Sequence, residues 1–108
     1  MKFLTFTISL LLLTSCTKDK AEMVLVCPNT ISFSTQILPL ITDNCVGCHS
    51  YGQNAPVITN HTEIAANATK ISKSIHGTIT LMPYNGDKLA DSLIQHFDCW
   101  VKQGKLDN

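Results

Sequence analysis

Two cysteines three positions apart, Cys45 and Cys48, with His49 directly behind the second, constrain this chain more than any other feature. A zinc knuckle, a thiol–disulfide pair and a covalently held haem all use the C-x-x-C spacing, but only the last has a task for the adjacent histidine. A structural zinc site takes four N or S ligands, usually as two paired clusters. Beyond Cys45, Cys48 and His49 the chain has no second C-x-x-C and no paired histidines at finger spacing. A thiol–disulfide oxidoreductase places the motif at the start of a helix that follows a strand. The preceding run FSTQILPLITDN lacks a β-branched strand pattern and reads as helix. Covalent haem fits best: two thiols at this spacing can add across the vinyl groups of one haem edge, and the next residue can bring its imidazole under the iron.

Such an iron needs a second axial ligand downstream. Met82 stands in Leu81-Met82-Pro83-Tyr84-Asn85-Gly86. Pro83 fixes its own φ and biases Met82 towards extended backbone, and Asn85-Gly86 supplies a turn. A proline-stiffened loop of this kind can hold a thioether against a metal. The alternative for a lone methionine is core filler. His61, His76 and His96 are the other candidates; the first two lie in polar stretches suited to hydrogen bonding, and His96 sits in the last helix as a structural residue. Met23 lies upstream, near the start of the domain.

The first residues, MKFLTFTISLLLLTSC, join a lysine to an apolar run of signal-peptide length, short of the about 20 residues a membrane span needs. Leu13-Thr14-Ser15-Cys16 resembles a bacterial lipobox, which implies removal of residues 1–15 and a lipid on Cys16. Two or more acyl chains give stable anchoring. The alternative is an ordinary secretory signal; in either case the protein is exported, to the periplasmic side or the outer surface of a bacterial envelope. Residues 16–26 read as a tether and 27–108 as one small domain. Of five cysteines, Cys27 and Cys99 then remain, and an oxidising compartment favours their pairing. The alternative is that Cys99, in a helical pattern, is a buried free thiol. Eight lysines and no arginine face eight acidic residues, and loss of Lys2 leaves a balance of −1. That argues against nucleic acid as a partner. Glu63, Asp87 and Asp91 read as scattered surface charges, and neither an acid–base pair nor a nucleophile–base arrangement is visible.

Apolar spacing predicts a helix from a Ser34 cap to about Thr42, interrupted by Pro39; a second over Glu63–Ser74; and a third over Asp87–Gly104, with Gly104 as its stop. Trp100 is expected in the core where helices cross. The segments Phe33-Ser34, Ile37-Leu38-Pro39-Leu40-Ile41, Asn44 to His49, Met82 to Leu89 and Trp100 to Asn108 together resemble a class I c-type cytochrome. In closer detail they resemble the small lipoprotein monohaem cytochromes of Bacteroidota, over about residues 27–108. The resemblance implies an all-α domain of three to four helices wrapped around one haem c, with first and last helices crossing. It implies thioethers at Cys45 and Cys48, axial ligation by His49 and Met82, and monomeric one-electron exchange with redox proteins of the envelope rather than enzymatic turnover. A haem-based sensor or gas-binding protein is the alternative if Met82 does not stay on the iron.

Overall fold

The computed structural model describes residues 24–108, so the signal segment and Cys16 lie outside the described residues. Three α-helices, α1 (Leu38–Asn44), α2 (His61–Ile75) and α3 (Asp91–Lys102), form the domain, and a π-helical turn at Phe33–Ile37 leads into α1. Among the described residues there is no strand, and no helix is long and apolar enough to cross a membrane. The all-helical class is therefore observed.

Pro39 explains the unusual first turn. A proline interrupts the bond ladder inside a helix but is tolerated at its start, and Pro39 falls in the first two positions of α1. Ahead of it the backbone runs in a wider turn, Ile37 N–H donating to Ser32 O at 3.3 Å. The cap is Ser32, whose hydroxyl accepts from Thr35 N–H, and not the expected Ser34. Ser34 is engaged elsewhere: its N–H donates to Asn108 O at 2.8 Å. The Asn108 side chain also accepts from Phe33 N–H at 2.7 Å. The end of the chain thus returns to close the N-terminus of the first helical segment.

In α2 the Asn60 side chain accepts from Glu63 N–H, the cap geometry that satisfies an orphan helix donor. The helix therefore begins two residues before the expected Glu63. Ile64, Ala68, Ile71 and Ile75 form its buried stripe. The third helix begins at Asp91 rather than Asp87, because Ala90 is extended (φ −56°, ψ 141°) and the segment before it sinks Leu89 into the core. Its end is a Schellman motif. Gly104 takes φ +97°, its N–H donates to Val101 O, and Lys105 N–H donates to Trp100 O at 2.9 Å. An alanine at position 104 would have to adopt that left-handed backbone.

Trp100, with no exposed surface, is the residue on which the helices converge. Phe33, His61 and Phe97 surround it at ring-centroid distances of 5.8, 5.9 and 5.5 Å, and its indole N–H donates to Leu106 O. His61, partly buried, packs against the edge of this core: its ring lies edge-on to Phe33 at 4.9 Å and its Nε2 donates to Lys105 O.

The chain before the first helix lies along α3 and is fastened to it by side chains. Lys102 donates to Leu25 O, Gln95 to Val26 O, and Gln103 both donates to Asn29 O and accepts from Ile31 N–H. Cys27 and Cys99 form a disulfide in the same strip, with Cα atoms 5.6 Å apart. A bridge closing so long a loop stabilises by about 4 kcal/mol on the chain-entropy account.

Candidate functional site

The C-x-x-C-H stretch leaves the C-terminal end of α1. Cys45 is the residue after the last helical one, its N–H donating to Ile41 O at 2.8 Å, and both Cys48 N–H and His49 N–H turn back to Cys45 O. Both cysteines are free thiols, Cys45 half-buried and Cys48 exposed. This position bears on the thiol-redox alternative. A reactive thiol is lowered by a helix N-terminus or a neighbouring cation, whereas burial here pushes the Cys45 thiol up to about 11.

The orientation of the His49 ring is set by the loop that follows. Its Nδ1 lies 2.8 Å from Pro56 O. A carbonyl can only accept, so Nδ1 carries a proton, and in the neutral ring Nε2 is left with the lone pair. A backbone carbonyl on the far ring nitrogen is what fixes the tautomer and raises the basicity of a metal-binding imidazole. The loop closes back onto the motif through Ile58 N–H, which donates to His49 O at 3.1 Å.

Beyond α2 the chain turns at Gly77 and returns through residues 78–86. Thr78 N–H donates to Lys73 O and Met82 N–H to Ser74 O, at 3.0 and 3.1 Å. The Met82–Pro83 peptide is cis. Met82 is half-buried, while Ile79, Leu81 and Tyr84 around it are exposed.

These two regions meet at a cleft of about 550 Å³, a size that accommodates an organic ligand or cofactor. Cys45, Cys48 and His49 line it, as do Met82, Pro83 and Tyr84, and Ile71, Ser74 and Ile75 of α2 lie between them in the chain. Its lining is mostly apolar, with Asn67 and Lys70 adding polar groups. The four residues singled out from the sequence at this site, Cys45, Cys48, His49 and Met82, thus share one cavity. The other histidines do not line it: His61 packs against Phe33 and Trp100, His96 faces a second, small cavity beside the disulfide, and His76 bonds Asp98 at 2.7 Å.

Among the described residues, no group of three or more His, Cys, Asp or Glu side chains could hold a metal ion.

Two contributors escaped the sequence reading. Pro56 acts only through its carbonyl, and no side-chain pattern announces that. Glu63, read as a scattered surface charge, accepts from Tyr51 O–H, Thr59 N–H and Thr59 O–H at 2.8, 2.7 and 2.9 Å. The signal for Glu63 was available in Asn60-His61-Thr62-Glu63, a capping residue followed three positions later by glutamate.

Compared with family models, with curated proteins and with solved structures, the chain matches none.

Proposed function

We propose that this chain is a membrane-tethered monohaem c-type cytochrome carrying single electrons between redox proteins of the cell envelope. The observation that supports it best is the sharing of one mostly apolar cleft by Cys45, Cys48 and His49 with Met82. The donor set suits the group: two free thiols for thioether bonds, an imidazole Nε2 freed by the Pro56 carbonyl, and a soft thioether. When bound, the haem supplies a one-electron iron couple whose potential is raised by methionine ligation. His49 and Met82 as axial ligands would leave no open position for a substrate. Ligation by the same two residues in both oxidation states would keep reorganisation small, and the apolar lining would limit solvent access to the bound group. A lipid on Cys16 would confine exchange to a membrane surface, where tethering raises effective concentration.

The test is the visible spectrum of the chain coexpressed with a haem-attachment system. The reading requires a low-spin reduced spectrum and, when oxidised, a weak red-edge methionine–iron band that disappears in Met82→Ala. High-spin haem that takes up carbon monoxide readily would move the assignment to a haem-based sensor, and absence of covalent haem would overturn it.

A further inference from the structure

The loop between His49 and Asn60 carries the carbonyl that orients the His49 ring, yet it makes few bonds of its own. Gln53 N–H reaches Ser50 O at 3.2 Å and Ile58 N–H reaches His49 O. What fastens it to the helical frame is one carboxylate. Glu63 Oε1 accepts from Tyr51 O–H, two residues past His49, and Oε2 accepts from the N–H and O–H of Thr59, three residues past Pro56. Glu63 itself is fixed in the first turn of α2, its N–H donating to the Asn60 side chain at 3.1 Å. One side chain therefore pins both ends of the segment holding Pro56.

The geometry points to Glu63 as a positioning residue for the proximal imidazole, acting through the Tyr51 and Thr59 contacts and the Pro56 carbonyl on His49 Nδ1. This rests on the cytochrome reading above and deepens it. Hydrogen bonds to an ionised acceptor are the stronger kind, and the donors on Glu63, Thr59 N–H first, hold its carboxyl below its ordinary range. The clamp is thus charged through the neutral range and weakens only as pH falls through that lowered value. A firm Nδ1–H to carbonyl bond gives the ring more imidazolate character and stabilises ferric iron. Loosening it raises the reduction potential.

The experiment uses the haem-loaded chain and three variants: Glu63→Ala, Tyr51→Phe, and Ser32→Ala as a control that removes a helix cap with no contact to Glu63 or the loop. In Glu63→Ala, exchange of the His49 Nδ1 proton, followed by NMR, should accelerate at least about tenfold and the potential should move upward. Tyr51→Phe should shift both in the same direction by less. Ser32→Ala should lower the melting temperature while leaving both close to the parent. If Glu63→Ala and Tyr51→Phe change only the melting temperature, as the control does, Glu63 is a helix-capping residue and the inference is wrong. If Glu63→Ala does not accumulate, Tyr51→Phe alone decides by the same two readouts. A parent chain that loads no haem overturns the inference together with the reading beneath it.

Discussion

The two regions that supply the cleft with candidate ligands are built to different standards of rigidity. The turn bearing His49 is bonded at Cys45, Cys48 and His49 to the backbone around it, its imidazole is held by Pro56 O, and its following loop is pinned by Glu63. The loop bearing Met82 reaches α2 through Thr78 and Met82 alone. Regions with few buried contacts open at lower free-energy cost than regions bonded throughout. One side of the cleft is thus a fixed mount and the other an adjustable one. If the proposed haem is bound, that difference would place any ligand loss or exchange on the methionine side.

The sharpest way to break this contrast is to remove each ligand in turn. His49→Ala should abolish stable low-spin loading. Met82→Ala should keep haem on the cysteines but open one coordination position, detected as carbon monoxide uptake by the reduced protein. Equal behaviour of the two variants would show that the sides are equivalent.

Removing the disulfide tests whether the contrast is local. Cys27→Ser/Cys99→Ser should cost about 4 kcal/mol in denaturant unfolding. Neither cysteine lines the cleft, so the methionine–iron band should persist under conditions where the double variant is folded. Loss of that band in folded protein would tie the Met82 loop to the strip along α3.

On the fixed side, the two thiols of the haem-free chain should separate by reactivity. Cys48 is exposed, whereas a Cys45 thiol pushed up to about 11 is ionised to about one part in a thousand at pH 8. Iodoacetamide should label Cys48 first, and Cys45 labelling should climb steadily with pH towards that value, as read by peptide mass spectrometry. A faster Cys45 would contradict the burial of this side. The smallest effect expected is from Asn60→Ala, about 1 kcal/mol of stability from a lost helix cap, measured by thermal melting.

How much of this was legible beforehand follows from which interactions are local. The buried stripe of α2 repeats every three or four residues, and so do Ile94, Phe97 and Trp100 of α3, so both helices and the core place of Trp100 could be read from spacing. The Gly104 stop was legible for the same reason. The Ser34 cap was misread because Asn108, far away in sequence, captures that amide. The late start of α3, at Asp91 and not Asp87, goes with the burial of Leu89 ahead of it, a tertiary requirement that overrides helix spacing. His61 looked like a residue of a polar stretch, yet its ring packs against Phe33 and Trp100. At the site, Cys45, Cys48, His49 and Met82 were legible because side-chain type and spacing mark them. Pro56 was not, since it contributes only a carbonyl, and for Glu63 the sequence marks a place in the first turn of a helix but not the contacts it makes to Tyr51 and Thr59 across the loop.

The claim on which everything else stands is that Cys45 and Cys48 carry a haem. Mass spectrometry of the peptide spanning Asn44–His49, from chain coexpressed with a haem-attachment system, tests it most directly. The account predicts one haem per chain, bound to both sulfurs and absent from the Cys45→Ala/Cys48→Ala variant. A peptide recovered as two free thiols, or as a Cys45–Cys48 disulfide, would contradict it and turn the motif back into a thiol pair.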